Sequence, residues 1–182
     1  HELMVRSRAR PGERLAVTGS LGTSNAGFLA LQRKLALNPA VDNVLRRAHF
    51  CPDPKIVEGK RLASAGIRCA MDISDGLLAD LGKLCFASGV AANIQTNKIP
   101  IHPMVIQTFG EESLGIALAG GEDYELLFTS PPESIDEILA ELPHGGTVIG
   151  EIVDGPSGQV KVLDSHGQRI DTKNSGWDHF MP

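Results

Sequence analysis

The chain has 182 residues, 42% of them hydrophobic, and 17 basic against 22 acidic side chains give it a net charge of −5. That length buries a core as one large domain or one domain with an appendage. The negative balance disfavours binding to nucleic acid through its phosphates, no window has the apolar run of a membrane span, and three cysteines without CxxC spacing read as reduced thiols of a cytoplasmic protein.

The chain opens on His1 rather than Met, with Glu2 to Arg6 ahead of any capping signal, and so is expected to begin inside a larger protein. Arg14 to Thr18 reads as a short strand. A glycine-rich bend, Gly19 to Ser24, follows it and lacks the Lys-Ser/Thr ending of a P-loop, so Gly19 and Gly22 are expected to serve helix entry and close packing. Ala26, Phe28, Leu29, Leu31 and Leu35 then recur as one helix face, and Ala40 to His49 is a second helix with Val41, Val44 and Leu45 inward. Cys51-Pro52-Asp53-Pro54 breaks the chain into an extended connector.

The most informative stretch is Cys69 to Leu78. An apolar strand, Arg68 to Ile73, runs into Asp72, Ser74, Asp75 and Gly76, and a helix with Leu77, Leu78, Leu81, Leu84 and Cys85 on one face is expected from Asp75 to Ser88, stopped by Gly89. Two carboxylates at a strand end offer hard oxygen ligands to Mg²⁺, and a helix N-terminus offers N–H groups to an anion. The plainer alternative makes Ser74 or Asp75 a helix cap, which leaves Asp72 without a role.

Val90 to Ile94 reads as a strand, Thr96 to Pro103 as a loop with His102 solvated, and Met104 to Phe109 and Ser113 to Leu118 as helices. A second constellation follows, in which Gly120-Gly121 leads Glu122, Asp123, Tyr124 and Glu125 onto an apolar strand ending at Thr129. Its alternative reading is a solvated turn. A helix with Ile135, Ile138, Leu139 and Leu142 on one face and strands at Thr147 to Ile152 and Val160 to Leu163 complete the pattern. The tail, Gly176-Trp177-Asp178-His179-Phe180, carries the one tryptophan, which as a terminal aromatic either docks on the core or meets a ligand.

Met4 to Glu13 with Val17-Thr18-Gly19, Asp72 to Leu78, Gly120 to Phe128 and Gly176 to Phe180 together resemble the C-terminal part of the thiamine-monophosphate kinase family, within the aminoimidazole ribonucleotide synthetase-like superfamily. The resemblance implies an α+β fold, a mixed β-sheet covered by helices, with residues 1–182 equivalent to the superfamily's C-terminal domain. It implies ATP-dependent phosphorylation of thiamine phosphate to thiamine diphosphate, with Asp72 and Asp75 on Mg²⁺, Arg6 and Ser74 on ATP, and Glu122 and Trp177 on thiamine phosphate. It also implies a missing N-terminal domain that supplies further metal ligands and a homodimer interface, so the chain alone is expected to be inactive. Arg8 stands where the family usually has glycine, Glu13 where it has aspartate, and Trp177 where it has tyrosine. The alternatives are a purine-precursor synthetase, a hydrogenase-maturation protein, which would carry a C-terminal cysteine where this sequence reads Phe180-Met181-Pro182, or a non-catalytic binding module.

Overall fold

The computed structural model describes residues 3–171. Among these residues six strands form one mixed sheet: β1 (Arg14–Thr18), β2 (Cys69–Asp72), β3 (Ala91–Gln95), β4 (Leu126–Ser130), β5 (Gly146–Val153) and β6 (Val160–Leu163). Their order is β2-β4-β1-β5-β3-β6, so no two strands consecutive in sequence are neighbours in the sheet. All pairs are antiparallel except β3 with β6. Among the described residues seven α-helices flank it: α1 (Thr23–Gln32), α2 (Pro39–Phe50), α3 (Ile56–Ser64), α4 (Leu77–Ser88), α5 (Pro103–Phe109), α6 (Ser113–Ala119) and α7 (Ile135–Glu141). This is the mixed, helix-covered α+β sheet expected from the resemblance.

Alternation along β1 explains the two covered faces. Leu15 and Val17 join the large core with Leu77, Leu81 and Leu84 of α4, whereas Ala16 joins Phe128, Leu62 of α3 and Ile135 and Ile138 of α7 on the other face. Each such leucine removed from water contributes roughly 1.5–3 kcal/mol. A third cluster, with Ala26, Leu45, Val105 and Ile116, joins α1, α2, α5 and α6 beside the sheet.

One helix was not foreseen and three expectations are corrected. Helix α3 was not legible, because its first apolar residues, Ile56 and Val57, are 59% and 54% exposed while Glu58 and Leu62 are buried. The inward charge satisfies itself against His144 Nδ1 at 2.8 Å, which inverts the apolar pattern on which helix periodicity rests. Phe28 and Leu35, expected on the buried face of α1, are exposed. That face is made of small residues instead, because α1 crosses α2 so closely that a Cβ on Gly27 would lie 2.2 Å from the Leu45 carbonyl oxygen. His102, expected to be solvated, caps α5: its Nδ1 accepts the Met104 N–H at 3.1 Å. Lastly, α4 begins at Leu77 rather than Asp75.

Candidate functional site

The antiparallel register sets Asp72, the last residue of β2, opposite Leu126, the first of β4, and β4's other neighbour β1 ends beside them at Thr18. The ladder does not stop there. The Ile73 N–H donates to Glu125 O at 2.8 Å, the Tyr124 N–H to Ile73 O at 2.9 Å and the Glu122 N–H to Ser74 O at 2.8 Å. Two stretches that sequence kept apart, Asp72 to Gly76 and Gly120 to Glu125, are thereby one double loop.

Glycine makes the approach possible. A Cβ on Gly121 would lie 2.6 Å from Ser74 O, and one on Gly76, where φ is +108°, would lie 2.7 Å from Ala119 O. Glu122 and Tyr124 themselves sit at φ 66° and 52°, a left-handed conformation that costs a non-glycine residue on the order of 1–3 kcal/mol and persists where surrounding bonds over-determine it. Here the ladder to Ile73 and Ser74 does so.

Ser74 and Asp75 are not helix caps. The N-cap position of α4 is Gly76, and no side chain caps it. Asp80, fully buried inside α4, reaches back instead: its Oδ2 accepts the Ser74 and Asp75 N–H groups at 2.8 Å each. Its Oδ1 accepts from Lys83 Nζ at 2.8 Å, and the same ammonium donates to Asp75 Oδ2. Burial alone would lower the Lys83 pKa, but the bonds to Asp75 and Asp80 leave it raised. Asp72, at the open strand end, is exposed. Neither Asp80 nor Lys83 was singled out from sequence, since on α4 they read as ordinary polar positions.

The three acidic residues of the second loop divide sharply, which corrects the solvated-turn reading for two of them. Glu122 is exposed, with its carboxylate 3.9 Å from His49 Nδ1. Asp123 turns inward and caps α1 from a distance, its carboxylate accepting the N–H groups of Gly22 at 2.6 Å and Ser24 at 3.2 Å. Glu125 is buried, accepts from Thr18 Oγ1 at 2.6 Å and pairs with Lys55 at 3.2 Å. Gly19 is glycine for this carboxylate, since a Cβ there would lie 2.1 Å from Glu125 Oε1. Gly22, the N-cap residue of α1 at φ 82°, would set a Cβ 2.8 Å from the Ala117 Cα. A cavity of about 520 Å³ opens beside Asp123 and Glu125, walled further by Asn43, Arg47, Lys55 and His102.

Burial pushes the Asp123 carboxyl up to about 7 against the pull of the Gly22 and Ser24 N–H groups. A carboxyl whose pKa is raised on folding favours the folded state most below its unfolded value, and that contribution fades as pH rises through the folded one. The stability of the chain is therefore expected to fall between about pH 4 and about pH 7 relative to an Asp123→Asn variant. Urea midpoints of both proteins across that range check it, and parallel pH profiles would refute it.

Arg6 is not gathered with the others. Its carbonyl accepts from Ser88 Oγ at the C-terminal end of α4, whereas Ser74 and Asp75 precede the N-terminal end, and a helix of 12 residues spans about 18 Å. Around Arg6's end of β2 lies a separate cavity of about 600 Å³ walled by Arg8, Arg10 and Arg68. Trp177 lies outside the described residues.

In chemical terms the double loop presents hard oxygen donors, Asp72 and Asp75, beside an exposed Glu122. No group of three or more His, Cys, Asp or Glu residues suited to a metal ion occurs among the described residues. A divalent cation held here would complete its shell with oxygens of a phosphate-bearing ligand or of another segment. No helix of the described residues is long and apolar enough to cross a membrane.

The model of the AIR synthase related protein C-terminal domain matches residues 10–163. Thiamine-monophosphate kinase of Escherichia coli K12 is 36% identical over 97% of this chain and 55% of its own length. Among solved structures, thiamine-monophosphate kinase from Stenotrophomonas maltophilia K279a superimposes with a TM-score of 0.80 at 31% identity, over 92% of this chain and 54% of that one. AaThiL complexed with AMPPCP and TMP gives a TM-score of 0.82 at 32% identity, over 98% and 55% respectively. The chain thus spans about half the length of the relatives it matches.

Proposed function

The chain belongs to the AIR synthase related family through its C-terminal domain, and on that premise we propose that it is the C-terminal part of a thiamine-monophosphate kinase. Such a protein transfers the γ-phosphoryl group of ATP to a phosphate oxygen of thiamine phosphate. A P–O bond forms to the substrate phosphate, the bond to the β-phosphate oxygen breaks, and thiamine diphosphate and ADP leave. The observation that carries this reading is the double loop, which sets Asp72, Ser74 and Asp75 against Glu122 through the bonds of Ser74 and Ile73 to the second loop. The likeness to AaThiL complexed with AMPPCP and TMP supports it.

In this reading Asp72 and Asp75 hold Mg²⁺, and the donor set fits: both are hard carboxylates on one loop, and the Lys83 ammonium already rests on Asp75 and Asp80, so the loop attracts a cation. Held by Asp72 and Asp75, Mg²⁺ would supply charge neutralisation to the phosphates, which phosphoryl transfer requires more than covalent help. Ser74 contacts ATP next to the carboxylates. Arg6 offers a planar donor to phosphate oxygens from the far end of α4. Glu122 contacts thiamine phosphate from the opposing loop, and Trp177 presents an aromatic face to its cationic ring. An N-terminal domain of the same protein completes the metal site and forms a homodimer, and the protein works in the cytoplasm.

The test measures thiamine diphosphate formation from thiamine phosphate and Mg·ATP, with the chain alone and with the protein that includes the N-terminal domain. Turnover is expected in the longer protein only. A folded longer protein without turnover would refute the kinase reading, and full turnover by the chain alone would refute the divided site.

A further inference from the structure

The Lys83 ammonium is set directly on Asp75 of the first loop and on Asp80 of α4. It stands one helical turn beyond Asp80, an (i, i+3) pair at 2.8 Å, and bridges to Asp75 eight positions back in sequence. Asp80 is fully buried and Asp75 half-buried, while the Lys83 side chain is 43% exposed. A buried carboxylate needs a partner, and Asp80 has three: two loop N–H groups and this ammonium. Asp75 is different. It meets the ammonium at the solvent side, where a long flexible side chain can leave at small cost.

We propose that Lys83 is a resident counter-cation of the first loop, which holds Asp75 while no divalent cation is bound and releases it, keeping Asp80, when one binds. The inference rests on the proposed metal role of Asp75. Two consequences follow from charge alone. With Lys83 in place, the Asp75 and Asp80 carboxylates that share its ammonium carry less net repulsion, so the metal-free loop keeps the shape that the Ser74 and Asp75 N–H bonds to Asp80 define. Removing the ammonium also removes a competitor and adds one unit of negative charge, so divalent cations bind more tightly to a loop that is less stable without them.

The experiment uses the protein that includes the N-terminal domain, without nucleotide. Mn²⁺ is the probe, its free-ion electron paramagnetic resonance signal reports binding, and Mg²⁺ is titrated in competition. Lys83→Met is expected to tighten Mn²⁺ and Mg²⁺ binding by about tenfold at low salt, and to melt at lower temperature without metal, with that deficit narrowing as Mg²⁺ saturates. Lys83→Arg keeps the charge and serves where Lys83→Met fails to fold: its divalent affinity stays within about threefold of the parent. Unchanged or weakened binding in Lys83→Met, or an unfolded Lys83→Met together with tenfold tighter binding in Lys83→Arg, would overturn the proposal. Asp75→Asn separates the two layers of argument. If it abolishes Mn²⁺ binding while Lys83→Met leaves it unchanged, the counter-cation role falls alone; if it changes nothing, the metal reading of Asp75 falls with it.

Discussion

Asp75→Asn, made in the protein that includes the N-terminal domain, is expected to lower the rate of thiamine diphosphate formation about 10²–10³-fold, the usual cost of removing one preorganised electrostatic contact to a transition state. Loss of the Asp75–Lys83 ion pair is expected to lower stability by no more than about 1 kcal/mol, because the pair is half exposed at Lys83 and such pairs contribute little. The loop itself is held by Asp80 through the backbone N–H groups of Ser74 and Asp75, which the substitution leaves in place. A structural role for Asp75 makes the opposite pattern, a lower melting temperature with turnover per folded molecule intact. Rates at saturating Mg·ATP and a thermal melt on the same preparation decide between them.

Gly76→Ala carries the second large effect, and it reaches function through the backbone. The alanine meets a φ of +108° and brings its Cβ to 2.7 Å from Ala119 O and 2.9 Å from Ala119 C. Both atoms are backbone and cannot swing aside. The strain and the displacement together are expected to cost about 2–4 kcal/mol. The displacement also pushes the loop of Ser74 and Asp75 away from Gly120–Glu122, so turnover should fall further than the loss of folded protein explains. Gly82→Ala is the control on the same helix: its nearest neighbour would be Gly158 O at 3.7 Å, and alanine inside a helix gains about 0.5–1 kcal/mol over glycine. Equal melting temperatures for the two variants would refute the close-contact argument.

Strands and helices were legible where apolar side chains kept a period, as in β1 and α4, where Leu15, Val17, Leu77, Leu81 and Leu84 are all buried as spaced. The residues that the two loops bring together, Asp72, Ser74, Asp75 and Glu122, were legible as candidates by type, as two carboxylates at a strand end and a Gly-Gly leading another onto a strand. What holds them was not. Asp80 and Glu125 are buried carboxylates and Asp123 a half-buried one, satisfied by partners 3 to 107 residues away, and hydropathy assigns such residues to the surface. The meeting of the two loops depends on β2 pairing with β4, a choice among strand orders that periodicity does not contain. Even the glycines spoke only in retrospect: Gly19 clears space for the Glu125 carboxylate, a demand set by a strand more than 100 positions downstream.

The strand order also governs when the site can exist. Among the described residues none of the six strands pairs with its successor, so no two of them form a hairpin from which the sheet could grow, and β1, β2 and β3 leave the ribosome before any strand able to pair with them. Asp72 waits for Leu126 through roughly 50 residues of synthesis, which takes on the order of several seconds at about 5–20 residues per second. Loop closure must precede every ladder contact, so folding is expected to be slow for a chain of this size. During that interval the apolar strand Cys69–Asp72 is an open edge in search of any partner, and the carboxylates that follow it keep a charge at its end until β4 arrives.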